Sequence, residues 1–247
     1  MDDADIEALE RATLAAVPPQ QLAEVDGWLV GLDDGTVGRS HSAVPLRHRA
    51  ITPNSVRRVR ETFAAARRAP VYRIPRLAAF DAVRAVLVAE GFEASTPTLT
   101  QTGPLQAVAD LQPCVPVRVL DEPDEAWSHV FLGEGFDPVD GASRMAILRR
   151  GRQSVFAAAL VDGEVAAVGL AGIAHGWCGI HGMRTLPAFR RRGLASAILG
   201  ALARAAAAKG VRRAFLQVEE ANAAAQQVYR RAGLEPVWCY EYWSRGT

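Results

Sequence analysis

The stretch Arg190–Arg191–Arg192–Gly193–Leu194–Ala195–Ser196 sets three guanidiniums against a glycine and then opens on small and apolar residues. Three readings fit it: a solvated loop, a nucleic-acid patch, or a turn that receives a phosphate at the mouth of a helix. The first turn of a helix has backbone N–H groups without internal partners, and its dipole favours an anion there. Glycine at 193 and alanine at 195 let the backbone approach a pyrophosphate closely, and the arginines add charge. Arg-x-x-Gly-x-Ala by itself is a weak motif, for which the solvated loop is the default. Proton chemistry is available on either side of it: His175 and His181 before, Glu219 and Glu220 after. A neutral imidazole, with an ordinary pKa of about 6.5, can accept a proton at neutral pH.

The elements that must position these residues can be read from residue 115 onward. "VPVRVL" predicts a strand, and "DEPDEAWSHVFL" a short helix with acids in its first turn. "DGASRMAILRRG" predicts a second helix. "SVFAAALVDGEVAAVGLAGIAHGWCGIHGMRTL" predicts three strands, the first two joined by an Asp162-Gly163 hairpin turn. Alternation along the third puts His181, Met183 and Thr185 on one face, and His175 in a loop. "GLASAILGALARAAAAKG" predicts a helix with Leu194, Ile198, Leu202 and Ala206 on its buried face. "RAFLQVEE" (strand), "NAAAQQVYRRAG" (helix) and "EPVWCYEYW" (strand) complete the order. Trp238, Tyr240 and Tyr242 alternate onto one face of the last strand, where sheet packing is the plain expectation and a wall of an acceptor pocket the lesser one.

The N-terminal half carries a weaker copy. One constant shift of 142 residues carries Pro45–Ile51 onto Pro187–Gly193 and Val86–Glu93 onto Val228–Glu235. It also carries "AAARR" onto "AAAKG" and "VYRIP" onto "RAFLQ". A single offset serving four segments points to duplication. "GPLQAVADLQP", ending at Pro113, is expected as a linker between lobes spanning 1–112 and 113–247.

Composition limits the partners. The 28 basic and 27 acidic residues nearly cancel, so bulk nucleic-acid binding is not expected. "SVRRVRETFAAARRA" reads as a solvated helix face. The acidic N-terminus does not resemble a signal peptide, and no window approaches the roughly 18 apolar residues of a membrane span. Cys114, Cys178 and Cys239 fit neither a disulfide framework nor a zinc cluster. A cytoplasmic protein with reduced thiols and no metal is therefore expected, as monomer or homodimer.

Together these features resemble the GNAT superfamily of N-acetyltransferases. The family's signature is a strand, a Gln/Arg-x-x-Gly-x-Gly/Ala turn, a helix, a strand, and a helix bearing Asn, Ala and Tyr. Here these are Arg190, Gly193 and Ala195, then Asn222, Ala225, Tyr229 and Gly233, with "TLP" closing the strand before the turn. The resemblance covers about residues 115–245. It implies an α/β (α+β) GNAT fold, a mixed central sheet flanked by helices, here as tandem lobes.

The resemblance also implies acetyl-CoA in a cleft where two parallel strands splay apart. The pyrophosphate would sit on the amides from Arg191 to Ser196, beside Arg190, Arg191 and Arg192. Backbone groups of Met183, Arg184 and Thr185 would pair with the pantetheine arm and polarise the thioester carbonyl. Asn222 would touch the pantetheine chain, and Tyr229 would protonate the departing thiolate. His181 stands where family members often carry a base, with Glu219 and Glu220 as competitors. The expected function is acetyl transfer to a primary amine, on a small molecule or a peptide, by direct attack. The rival is a non-catalytic acyl-CoA-binding or protein-interaction module. The N-terminal copy has Ile51 opposite Gly193, Pro53 opposite Ala195 and Leu87 opposite Tyr229, which should spoil a second anion nest. Arg47, His48 and Arg49 are expected to keep positive charge there.

Overall fold

Asp-Gly turns close the first hairpin of each half. Asp26 and Gly27 (φ 48° and 78°) join two strands, as do Asp162 and Gly163 (φ 53° and 87°). Positive φ at both positions matches the turn to the twist of the flanking strands. The computed structural model describes residues 1–49, 51–133 and 137–246; Ala50, within the shifted segment 45–51, lies outside them. The N-terminal half contains α1 (Asp3–Ala16), β1 (Gln21–Val25), β2 (Trp28–Leu32), β3 (Ala43–Pro45), α2 (Pro53–Ala65), β4 (Tyr72–Pro75), α3 (Asp81–Ala89) and β5 (Glu93–Pro104). After α4 (Leu105–Ala109) come β6 (Val117–Leu120), α5 (Glu125–Leu132), α6 (Pro138–Arg150), β7 (Ser154–Val161), β8 (Glu164–Ala174) and β9 (Trp177–Thr185). The chain ends with α7 (Leu194–Ala207), β10 (Arg213–Glu219), α8 (Ala223–Arg231) and β11 (Glu235–Ser244).

All described strands join one mixed sheet in the order β1-β2-β3-β4-β11-β5-β10-β9-β8-β7-β6. Pairing is antiparallel except at β3–β4 and β9–β10. The duplication is visible in the elements: α2, β4, α3 and β5 recur as α7, β10, α8 and β11. The halves exchange their last strands. β5 lies between β10 and β11, with Thr102 opposite Phe215 on one side and Glu235 on the other. β11 in turn pairs with β4.

Helices cover both faces. On one, α7 packs on β7, β8 and β9 around Ile198, Leu199, Leu202 and Ile180. On the other, Ile6, Leu9 and Ala12 of α1 meet Trp177, Phe215, Trp238 and Tyr240. The stretch expected as a linker is instead packed structure. Leu105, Val108 and Ala109 of α4 are buried against α7. This is why the buried stripe of α7 is wider than its periodicity predicts and includes Ala197, Leu199 and Ala203. The basic segment of α2 behaves as expected: Val56, Val59 and Phe63 face the core and its arginines face out.

Candidate active site

The site begins where two parallel strands part. β10 registers with β9 only from Arg213↔Trp177 to Leu216↔Ile180, yet continues with β5 as far as Glu219↔Thr98. β9 stays with β8 to Thr185↔Ala167, so from His181 onward its other edge faces a gap. Within β9, Leu170 pairs with His181 and Val168 with Arg184, an extra residue on the β9 side. Gly182, at φ 60°, takes up the irregularity in a conformation that side chains disfavour. The expected alternation is thereby corrected. His181 stacks edge-on to Phe215 at 5.8 Å, on the α1 face, whereas Met183 packs into the core under α7.

A single 3-10 turn, Pro187–Phe189, leads from β9 to the arginine-glycine stretch. Arg190, Arg191 and Arg192 are exposed. Gly193 adopts φ 80° at the N-cap of α7, and no side chain caps the helix there. Leu194 turns its side chain into the core, so its backbone is what it offers a ligand, while Ala195 and Ser196 remain partly accessible. A Cβ at 193 would stand 3.1 Å from Cys114 Sγ, which itself donates to the Arg192 carbonyl. Arg184 donates to the Leu132 carbonyl at 3.3 Å. An uncapped helix start flanked by exposed guanidiniums has the donor set for a pyrophosphate.

A cleft of about 680 Å³ occupies the gap between β9 and β10. His181, Gly182 and Met183 line it from β9, Leu216 to Glu219 from β10, and Asn222 and Tyr229 from the α8 region. Residues 190–196 and Thr185 are not part of this lining. Burial pushes the Tyr229 phenol up to about 12, so it stays protonated well beyond neutral pH. Asn222 caps α8 by accepting from the Ala225 amide at 3.1 Å, which fixes the start of the helix carrying Tyr229.

His181 is buried, and neither ring nitrogen has a partner. Desolvation, helped by the charge of Arg39, holds it well below its usual value, so it is a neutral imidazole at pH 7. Glu219 also lines the cleft, whereas Glu220 is tied to Arg76 at 2.9 Å. His175 sits in the β8–β9 turn at the opposite end of β9.

The opposite wall combines loops and strands of the N-terminal half with the last strand of the C-terminal half. The β2–β3 loop contributes Thr36 to Arg39 and His41, β5 contributes Ser95, Thr96 and Thr98, and β11 contributes Tyr240 and Tyr242. Reading from motifs alone misses Arg39, because it stands on a loop with no motif of its own. A signal exists: the 142-residue shift carries Arg39 onto His181. Beneath the wall Arg73 meets Glu10 at 3.1 Å, both buried, and lies 5.5 Å from the Tyr240 ring centroid. Burial pushes Glu10 up and the Arg73 charge opposes that rise.

The N-terminal counterpart of the phosphate turn is filled. Ile51 packs on the N-terminal core, Pro53 opens α2 without an N–H, and Leu87 is fully buried. The charge expected at His48 is absent. Its ring is wedged 4.7 Å from Trp238 and 6.0 Å from Phe80, and burial lowers its pKa to about 4.

The family model described as "Probable histone acetyltransferase Rv0428c C-terminal" matches residues 3–243. No curated protein sequence matches significantly. Among solved structures, a GCN5-related N-acetyltransferase from Kribbella flavida has a TM-score of 0.72 at 18% identity, covering 98% of this chain and 96% of that one. A functionally unknown conserved protein from Staphylococcus epidermidis has a TM-score of 0.70 at 13% identity, covering 93% and 94%. A tandem GNAT protein from the clavulanic acid biosynthesis pathway has a TM-score of 0.61 at 16% identity, covering 98% and 96%. At these identities the likeness speaks to the fold. With the family model spanning nearly the whole sequence, the chain belongs to the family so described, and its fold is the one seen in GNAT N-acetyltransferases, a tandem member among them.

Proposed function

We propose that the chain is an acetyl-CoA-dependent N-acetyltransferase that transfers the acetyl group to a primary amine by direct attack. The observation that carries this reading is the conjunction at one sheet opening. The β9–β10 ladder ends at Ile180↔Leu216, and a protonated, partly buried Tyr229 faces the gap so formed. Acetyl-CoA supplies the thioester. Its pyrophosphate fits the uncapped start of α7, with Arg190 to Arg192 beside it, and its pantetheine arm fits the unladdered edge of Met183 to Thr185. A backbone N–H on that edge polarises the thioester carbonyl.

As the amine nitrogen bonds to the carbonyl carbon and the carbon–sulfur bond breaks, Tyr229 Oη gives its proton to the sulfur. His181, neutral and without hydrogen-bond partners, takes the proton that the amine loses, directly or through one water. The lobes divide as 1–112, which walls the acceptor side, and 113–247, which holds the coenzyme and the proton donor. The family's description places protein lysines among the acceptors to be tried, beside small amines.

Screening amines for acetyl-CoA-dependent thiol release tests the reading. Amine-dependent release at a rate well above hydrolysis is expected. Coenzyme binding without release for any amine would return the chain to the non-catalytic acyl-CoA-binding alternative.

A further inference from the structure

Arg39 brings a cation to the acceptor side of the cleft. Among the described residues no carboxylate pairs with it; the nearby acid Glu10 is engaged by Arg73. Its Nη1 donates to Gln217 Oε1 at 3.2 Å, and its Nε is buried without an acceptor. A guanidinium partly withdrawn from water and left unmatched is costly, and the natural complement to its planar donors is a carboxylate.

The loop that carries Arg39 is held in place before any ligand arrives. Asp33 is paired to Arg150 of α6, the Thr36 hydroxyl donates to Asp140 of α6, and the Ser40 hydroxyl donates to the Val17 carbonyl at 2.8 Å. A cation fixed by its scaffold binds with little ordering cost. Of the two arginines in the cleft lining, Arg144 is held by Asp140 at 3.1 Å, and the histidines His41 and His181 are both held neutral by burial. A lysine side chain placed beside Arg39 would therefore meet like charge, whereas a carboxylate there would be matched.

We infer that Arg39 anchors a carboxylate on the acceptor, so that the favoured substrates are small amines that also carry a carboxylate, with the amine directed at His181. This rests on the acetyltransferase reading above and deepens it by naming the acceptor class.

The test compares matched acceptors: tyrosine with tyramine, lysine with cadaverine, 4-aminobutyrate with butylamine, and a lysine-rich peptide amidated at its C-terminus. Thiol release is followed in the wild type, Arg39→Gln and Arg39→Lys. The best acceptor should carry a carboxylate and exceed its partner lacking it by about 10- to 100-fold in kcat/KM, the range of one charge-assisted contact. Arg39→Gln should erase that preference through KM, with acetyl-CoA affinity unchanged, and Arg39→Lys should restore part of it. A preference that survives in Arg39→Gln, or a plain amine or the amidated peptide as best acceptor, overturns the inference.

Calorimetry with the corresponding N-acetylated products needs no turnover. N-acetyl amino acids should bind the wild type at least about tenfold more tightly than N-acetyl amines, and Arg39→Gln should not discriminate. Equal binding by the wild type also overturns the inference. Should no amine be acetylated, the acetyltransferase reading fails, and this binding comparison still decides the Arg39 site.

Discussion

Tyr229 and His181 illustrate how burial sets opposite protonation states for two side chains in one cleft. Desolvation disfavours the charged form of each, so the phenol keeps its proton and the imidazole stays without one. In the proposed transfer the phenol gives its proton and the imidazole takes one. Replacing Tyr229 with Phe keeps the ring packed against the core but removes the proton. In steady-state assays kcat should fall by about 10²-fold, within the range of acid–base groups, with little change in the KM for acetyl-CoA. Full activity in Tyr229→Phe would reduce the residue to a packing role. Because the pKa of Tyr229 lies near 12, kcat should also show no alkaline loss from its ionisation below about pH 10.

At the scale of elements, α8 and β9 show what a sequence can and cannot reveal. Asn222 serves α8 as its cap. Asn222→Ala should cost about 0.5–2 kcal/mol, read as a lowered Tm, whereas Asn222→Asp keeps an accepting oxygen and should retain most of the stability. If Asn222 also touches pantetheine, Asn222→Asp should weaken acetyl-CoA binding despite a normal Tm; unchanged affinity would leave it a cap alone. The α8 motif and the α7 turn were legible because helix periodicity and a glycine at φ 80° leave marks in a linear pattern. The irregularity at Gly182 leaves no such mark. It shifts register against β8, a long-range event, and so puts His181 and Met183 on opposite faces where simple alternation joined them. α1, β1 and β2 lie outside the 142-residue repeat signal, although Asp26-Gly27 is a usable hairpin mark.

On the scale of the whole molecule, the strand exchange binds the halves into one sheet. β5 separates β10 from β11 in space though it precedes both by more than a hundred residues. A constant offset exposes the repeat but not the exchange, since equivalent strands can return to either copy. For the same reason Arg39 could be aligned with His181 yet not placed opposite it. The join is expected to be sensitive to acid. His48 lies between Trp238 and Phe80 with a pKa of about 4, below its ordinary 6.5. The unfolded chain therefore binds more protons in this interval, and the stability held above pH 6.5 is lost as pH falls toward 4. His41 and His181 act in the same direction. His48→Phe removes a buried, unpartnered Nε2 and one such proton site. Its Tm should fall less than that of the wild type between pH 7.5 and pH 5, by an amount on the order of a few °C. Parallel falls in the two proteins would show that His48 does not govern the acid limb.

The central claim is that one coenzyme site exists per chain, in the C-terminal lobe, at the start of α7. On this account Gly193 and the uncapped amides after it would form that site, while Ile51 and Pro53 fill its N-terminal counterpart. Calorimetric titration of the full chain with acetyl-CoA, beside Gly193→Asp, tests this directly. Asp at 193 adds negative charge next to the pyrophosphate and a Cβ against Cys114 Sγ. The account predicts one acetyl-CoA per wild-type chain and binding lowered by at least about tenfold in Gly193→Asp, the loss of one charge-assisted contact. Two molecules per chain, or unchanged affinity in the variant, would contradict it.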